Sequence, residues 1–288
     1  MLLLDQLQHL SPPLSFCALL ACGFLVGLIN LALVRVVVRA LGIGKDQVLP
    51  VRDTLITGFT GLFALMVAFS AAGIWNDAIQ ARATVQREAN AIENVIALGS
   101  GLPEELAKQV HDEALQIGRF TVEEDWPAMQ HRVGPNEDLL DSFNQSPIVR
   151  LMILISRNAK DIAGAPASAL LSQLVELRSA RVQREAIARG GISGVLWLTL
   201  VLLPIVALTL LLLAYNHDHS WQLASGAIYV FGVCLALFAV LAHDRPFYGY
   251  LGVQPTPIER VLERNADWPI GNGDGASTAR TPDARQRP

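Results

Sequence analysis

Cysteine is scarce in this 288-residue chain: Cys17, Cys22 and Cys234 are the only three, and each lies inside an apolar run. That usage argues against a disulfide framework or a thiolate metal site and makes the thiols small hydrophobes. The six histidines are scattered. Their one cluster, His217-Asp218-His219, offers too few ligands for a metal and fits a polar turn between helices. There is no phosphate-cradling glycine loop, no HExxH and no CxxC. Charge is also sparse, at 17% of residues with a net −4, which gives no electrostatic footprint for nucleic acid. Asp77, Glu88 and the run Glu123-Glu124-Asp125 are the carboxylates that could be imagined as acid/base pairs. Nothing in the pattern gives them a dry pocket or a nucleophile. We therefore expect a solvated helix face there, and no enzyme, cofactor or metal. Lys and Arg are absent before Pro13, so the N-terminus lacks the positive region of a secretory signal. Neither a strand pattern nor an internal repeat is present.

What the chain has is apolar length. Hydrophobic residues make up 52% of it and the mean hydropathy is +0.38, values that suit an integral membrane protein. Segment 1–13 leads into a first span over 14–34, closed by Arg35 and Arg39, whose long side chains can snorkel to an interface. After a polar loop comes the stretch on which the rest is organised. Residues 54–75 are long enough to cross a bilayer. They pass without a proline into an amphipathic helix that ends at Leu98, before Gly99-Ser100-Gly101. The expectation is one rod, half in lipid and half in water.

Residues 76–190 then form a soluble helical region. A helix starts at Pro103, with Glu104 and Glu105 in its first turn, and is interrupted at Pro127. Gly134-Pro135-Asn136 marks a turn, and another helix begins at Glu137. The apolar stretch 148–155 is too short to span and reads as buried core. Residues 167–189 form a strong helix, and Gly190-Gly191 is a hinge. A second membrane pair follows, with spans over 192–215 and 222–242 and Trp221 at an interface. Residues 243–264 form a post-membrane anchor, and 265–288 have the composition of a disordered tail. The fold class is therefore all-α: four transmembrane helices in two hairpins with a helical region between the second and third.

Four spans place both termini on one side. Arg82, Arg87, Arg178, Arg181, Arg184, Arg189, Arg245 and Arg260 would share that side with the soluble region. Arg35, Arg39, Lys45 and Arg52 lie opposite. The positive-inside bias then predicts cytoplasmic termini and a cytoplasmic helical region.

Several motifs spread along the chain carry a family resemblance: Phe69-Ser70-Ala71-Ala72-Gly73-Ile74-Trp75, Gln86-Arg87-Glu88-Ala89, Glu124-Asp125-Trp126, Leu177-Arg178 with Arg181, and Leu196-Trp197. The most specific is Asp244-Arg245-Pro246-Phe247-Tyr248-Gly249, followed by Val253 and Pro255. With these the chain resembles a bacterial family of inner-membrane proteins described as bestrophin-like, which has no firmly assigned activity. The resemblance implies a multi-pass inner-membrane protein of this topology. Its extension to bestrophins proper implies a pentameric, mainly anion-selective channel whose second span lines the pore. The bestrophin calcium clasp has a dense acidic run after the last span. Residues 249–257 here hold no acid, so calcium gating is not implied.

On that reading Phe59, Phe63, Met66 and Ser70, spaced four, three and four with Phe69 beside them, would form a hydrophobic neck that closes a pore by shedding water. The same stripe is what ordinary helix packing produces. Gly58, Gly61, Ala64, Ala68, Ala71 and Ala72 supply small residues for close helix approach. Arg178, Arg181 and Arg184 would dock on Glu88 and Glu93, meet anionic headgroups, or draw anions to a vestibule. Asp244, Arg245, Pro246, Phe247 and Gly249, with Trp75, Glu88, Arg178 and Arg181, are expected as structural anchors or gating elements. The functional expectation is a homo-oligomeric channel for small ions in the lipid bilayer. The rival is a non-conducting membrane scaffold or sensor whose helical region binds a partner.

Overall fold

The computed structural model describes residues 12–40, 52–130, 147–158, 162, 164–215, 218–248 and 252–266. Among these, helix is the only regular structure. In chain order the helices are α1 (Pro12–Ala40), α2 (Arg52–Gly99), α3 (Glu104–Phe120), a π turn (Thr121–Asp125), α4 (Trp126–Gln130), α5 (Pro147–Arg157), α6 (Gly164–Arg189), α7 (Gly194–Ala214), α8 (His219–His243) and α9 (Thr256–Asn265). The turn at Gly134-Pro135-Asn136, the helix from Glu137, residue Gly249 and nearly all of the 265–288 tail lie outside the described residues.

Four stretches are long and apolar enough to cross a membrane: α1, the first part of α2, α7 and α8. Helix α1 is longer than the expected 14–34 at both ends: it runs on past Arg39 to Ala40, and Pro12 and Pro13 are its first residues. Proline costs little there, since a first-turn N–H has no intrahelical partner. Spans α1 and α2 are consecutive in sequence but are packed apart. Each lies against α7 and α8, which stand between them. One membrane core joins Leu31 and Val34 of α1 to Leu208, Leu212, Val230 and Cys234. The other joins Phe63 and Ile74 of α2 to Trp197, Leu200, Val240 and Leu241. Polar clasps reinforce the packing. Asn30 donates to the Thr209 hydroxyl at 3.0 Å and to the Ile205 carbonyl at 3.2 Å, and Gln222 donates to the Leu212 carbonyl at 2.7 Å. In lipid such groups find no water, so interhelical bonds hold helices together.

Helix α2 is the rod expected from sequence. Its 48 residues span about 72 Å at ~1.5 Å per residue, against a hydrocarbon core of about 30 Å. Beyond the membrane its burial settles on one broad face. Ala81, Val85, Glu88, Ala89, Ile92, Val95 and Ile96 are all at most 2% exposed. They pack on α3 and α6, and the same core takes in Leu151 and Ile155 of α5, Ile258 and Val261 of α9, and Phe247. Gly118 of α3 permits the close approach of α9, because a Cβ there would come 2.8 Å from a methyl of Leu262.

Pro127 does not interrupt the chain as expected. The helix passes through the π turn first, with the Trp126 N–H donating to the Thr121 carbonyl five residues back. The extra residue of a π turn shifts the helical register, and Thr121, Asp125 and Trp126 are all turned into the core. The break at Gly190-Gly191 is present. Gly191 has φ +149°, a conformation that side-chain-bearing residues rarely adopt.

Candidate functional site

Two features bear on function: the membrane face of α2, and a buried ionic cluster tied to the membrane exit.

The membrane half of α2 has two neighbouring stripes, about 100° apart around the helix. Phe63 (7% exposed) and Ser70 (4%) are buried against the subunit's own α7 and α8, with Met66 packed beside them. The Ser70 hydroxyl donates back to the Met66 carbonyl at 2.8 Å, so it offers nothing outward. Phe59 is half-buried on the same side. In the lone subunit Phe63 and Ser70 are thus covered by neighbouring parts of the same chain. The spacing identified a face correctly. It could not say what the face meets, because in lipid both sides of a span are apolar.

Phe69 alone of the expected set points away, at 62% exposed. It belongs to a second stripe, Gly58, Leu62, Leu65, Phe69, Ala72 and Asn76, spaced four, three, four, three and four, in which every residue is exposed. Nothing in the subunit approaches Gly58 or Gly61 within 4 Å of where a Cβ would stand. Trp75 is 68% exposed at the end of this half.

Some 20 Å further along the rod, by its rise of ~1.5 Å per residue, lies the ionic cluster. Arg184 of α6 is fully buried. Its Nε donates to Glu88 Oε2 at 2.7 Å and its Nη2 to Glu88 Oε1 at 3.1 Å, a two-pronged pairing. The same Nη2 reaches Asp125 Oδ2 at 3.1 Å. Arg181 donates to Asp125 Oδ1 at 2.9 Å and to Glu185 at 3.2 Å. The Arg181 guanidinium stands over Phe120, and that of Arg184 over Trp126. Burial works against the charge on Arg184, but Glu88 and Asp125 outweigh it and raise its pKa.

Glu88 and Asp125 are therefore not on a solvated face, as the sequence suggested. Their partners lie 96 and 56 to 59 residues away in the chain. The missed signal was the register of Glu88, an acid inside the apolar series Ala81, Val85, Ile92 and Val95. The expected docking of the arginine stripe on Glu88 is present through Arg184. Glu93 instead pairs with Arg264 of α9, and Arg178 is exposed one turn before Arg181.

The membrane exit connects to this cluster. Asp244, at the end of α8, accepts a hydrogen bond from the Ile192 N–H at 2.7 Å, tying the end of one span to the start of another. Burial pushes its carboxyl pKa up, and the Ile192 N–H and Arg245 only partly offset that. Arg245 is half-buried, with its guanidinium over the Tyr248 ring. Pro246 is buried, and its carbonyl accepts from the Val253 N–H at 2.6 Å. Phe247 is 2% exposed and meets Trp126 edge-on, with centroids 5.6 Å apart. Phe247, Trp126, Arg184 and Glu88 are in successive contact, and Asp244 precedes Phe247 by three residues, so the membrane exit is linked to the rod. Among the described residues no three His, Cys, Asp or Glu side chains are grouped as a metal site.

The profile of the bestrophin-like domain matches residues 21–258. No curated protein matches the sequence. Among solved structures, one similar chain is a bacterial bestrophin homolog from Klebsiella pneumoniae in a mutant form. It has a TM-score of 0.63 at 16% identity and covers 87% of this chain and 97% of its own. The same homolog solved by zinc phasing gives a TM-score of 0.61 at 16% identity, covering 86% and 96%. A further similar structure is described only as a membrane protein, with a TM-score of 0.62 at 16% identity. The fold is shared across nearly the whole of these chains, and the matched domain spans most of this one. The protein is a member of the bestrophin-like family.

Proposed function

We propose that the protein is a homo-oligomeric ion channel, assembled as a pentamer in the cell inner membrane, with termini and soluble helices in the cytoplasm. The observation that carries this reading is the outward stripe of α2. A lone subunit would leave Gly58, Gly61, Ala72 and Gly73 facing lipid, where bulky aliphatics fill space better. Small residues are the currency of close helix approach in membranes. Copies of α2 gathered about an axis would cover its small residues with neighbouring copies. They would turn Leu62, Leu65 and Phe69 toward a common centre, where apolar rings gate by dewetting. Asn76 would stand at the soluble mouth of that path. Preference for small anions follows from the resemblance to bestrophins proper. Asp244, Arg245, Pro246 and Phe247, with Glu88 and Arg181, serve as the anchor that fixes the soluble helices to the membrane exit. Trp75 marks the interface, and Arg178, three residues before Arg181 on α6, belongs to the same anchor.

Flux through purified protein in liposomes tests this directly. Chloride-dependent current or efflux is expected, with leak raised in Phe69→Ala and unchanged in Phe63→Ala. A well-folded oligomer that passes no ion across voltages and salts would return the protein to the class of membrane scaffolds, and a monomer in detergent would do the same.

A further inference from the structure

At the membrane end opposite the soluble region, Arg35 of α1 donates through Nη2 to Nε2 of His219, the first residue of α8. For this bond His219 must present an unprotonated Nε2, so it accepts from Arg35 without cancelling its charge. The Nε of Arg35 is buried and has no hydrogen-bond partner. Among the described residues no carboxylate comes within ion-pair distance of this guanidinium. The acid next to it in sequence, Asp218, has its Oδ1 engaged by the N–H groups of Ser220 and Trp221. Arg39 adds a second cation one turn further out. A guanidinium held at a membrane boundary without a counter-charge is costly unless an anion joins it.

Directly beneath lies a shallow, open crevice between α1, α7 and α8, about 370 Å³ with the adjoining open space included. Its walls include Leu28 and Leu31, seven and four residues deeper than Arg35, and Leu223, four residues deeper than His219. These spacings keep the crevice on the same helix faces as the cationic pair. The one polar wall residue, Gln222, is tied to the Leu212 carbonyl. Leu28 and Leu223 are 58% and 48% exposed. Trp221, at 65% exposed, stands at the level where indoles meet headgroups.

We propose that Arg35 and His219 bind the phosphate of an anionic phospholipid, one acyl chain of which lies in the α1–α7–α8 crevice. The head supplies the counter-charge that no described residue provides, through a charge-assisted bond to the guanidinium. The crevice supplies an apolar berth. This site requires nothing about conduction, so its fate and that of the channel reading are separate.

The test uses the full chain in detergent with added phosphatidylglycerol, phosphatidylcholine or inorganic phosphate, read by thermal unfolding and by native mass spectrometry. Phosphatidylglycerol should raise Tm and remain bound in preference to phosphatidylcholine, and inorganic phosphate alone should do neither. Arg35→Gln should weaken retention about tenfold, the loss of one charge-assisted contact. Ala227→Leu, which fills the crevice from an exposed position, should weaken it with Arg35 intact. Equal protection of the wild type and Arg35→Gln by phosphatidylglycerol would overturn the site, and so would an equal shift with inorganic phosphate. If Arg35→Gln does not fold, the wild type decides alone: selective retention of phosphatidylglycerol supports the site, and equal retention of both lipids refutes it.

Discussion

The two halves of α2 are one helix in two solvents, and they specify their contacts differently. In water, the residues from Ala81 to Ile96 that are withdrawn from solvent announce themselves by apolar spacing. Of the two polar exceptions, Thr84 donates back to the Gln80 carbonyl and Glu88 is matched by Arg184 on another helix. In lipid, the residues from Gly58 to Trp75 carry no charge and are largely apolar on every side, and polarity no longer separates inside from outside. There the difference between Phe63, buried, and Phe69, exposed, is one of volume and small neighbours. The water half is fixed by charge and the hydrophobic effect, and the lipid half by fit.

The most severe way to break this contrast is in the water half. Arg184→Ala leaves Glu88 buried without its main partner, and removing one member of a buried pair costs about 3–5 kcal/mol. The soluble helices should then unfold well below the wild-type Tm while the spans stay helical, which circular dichroism melting in detergent would show as two transitions. Phe247→Ala should cost somewhat less, about 3 kcal/mol, by opening a cavity against Trp126. It should also loosen protease protection around residues 252–266.

A milder loss is expected in lipid. Phe63→Ala forfeits packing but little hydrophobic free energy, so about 1–2 kcal/mol is expected. Phe69→Ala should stay within about 0.5 kcal/mol in the isolated subunit, as exposed sites do. Equal melting shifts for the two phenylalanines would erase the distinction between the stripes.

Asp244 sharpens the boundary between the halves through pH. Its folded carboxyl pKa is raised by burial. As pH rises through the ordinary carboxylate range toward that raised value, the unfolded chain loses its proton first. Stability therefore falls over that window and is highest below it. Asp244→Asn should flatten the slope, as read from Tm against pH. The smallest effect belongs to Arg264→Ala, an exposed pair with Glu93, expected within about 0.5 kcal/mol.

Much of this was legible in the residues. The unbroken run from Thr54 to Leu98 gave the rod, and four apolar stretches gave the spans. The Asp244-Arg245-Pro246-Phe247 element gave the family and its place at the exit. Less legible was anything set by distant partners. Asp125 looked solvated because Arg181 and Arg184 are more than fifty residues away. Pro127 looked like a break because a π turn leaves no residue signature. The packing of α1 apart from α2 was hidden too, since both are apolar and adjacent in sequence. The inward turn of Phe63, Met66 and Ser70 was hidden for the same reason that lipid erases amphipathicity.

Cysteine accessibility most directly measures which side of α2 faces the proposed pore. With Cys17, Cys22 and Cys234 replaced, Phe69→Cys and Phe63→Cys would each be reconstituted in liposomes and treated with a charged thiol reagent during flux. Rapid block at Phe69→Cys with none at Phe63→Cys is the predicted result. Block at Phe63→Cys, with Phe69→Cys untouched, would contradict it.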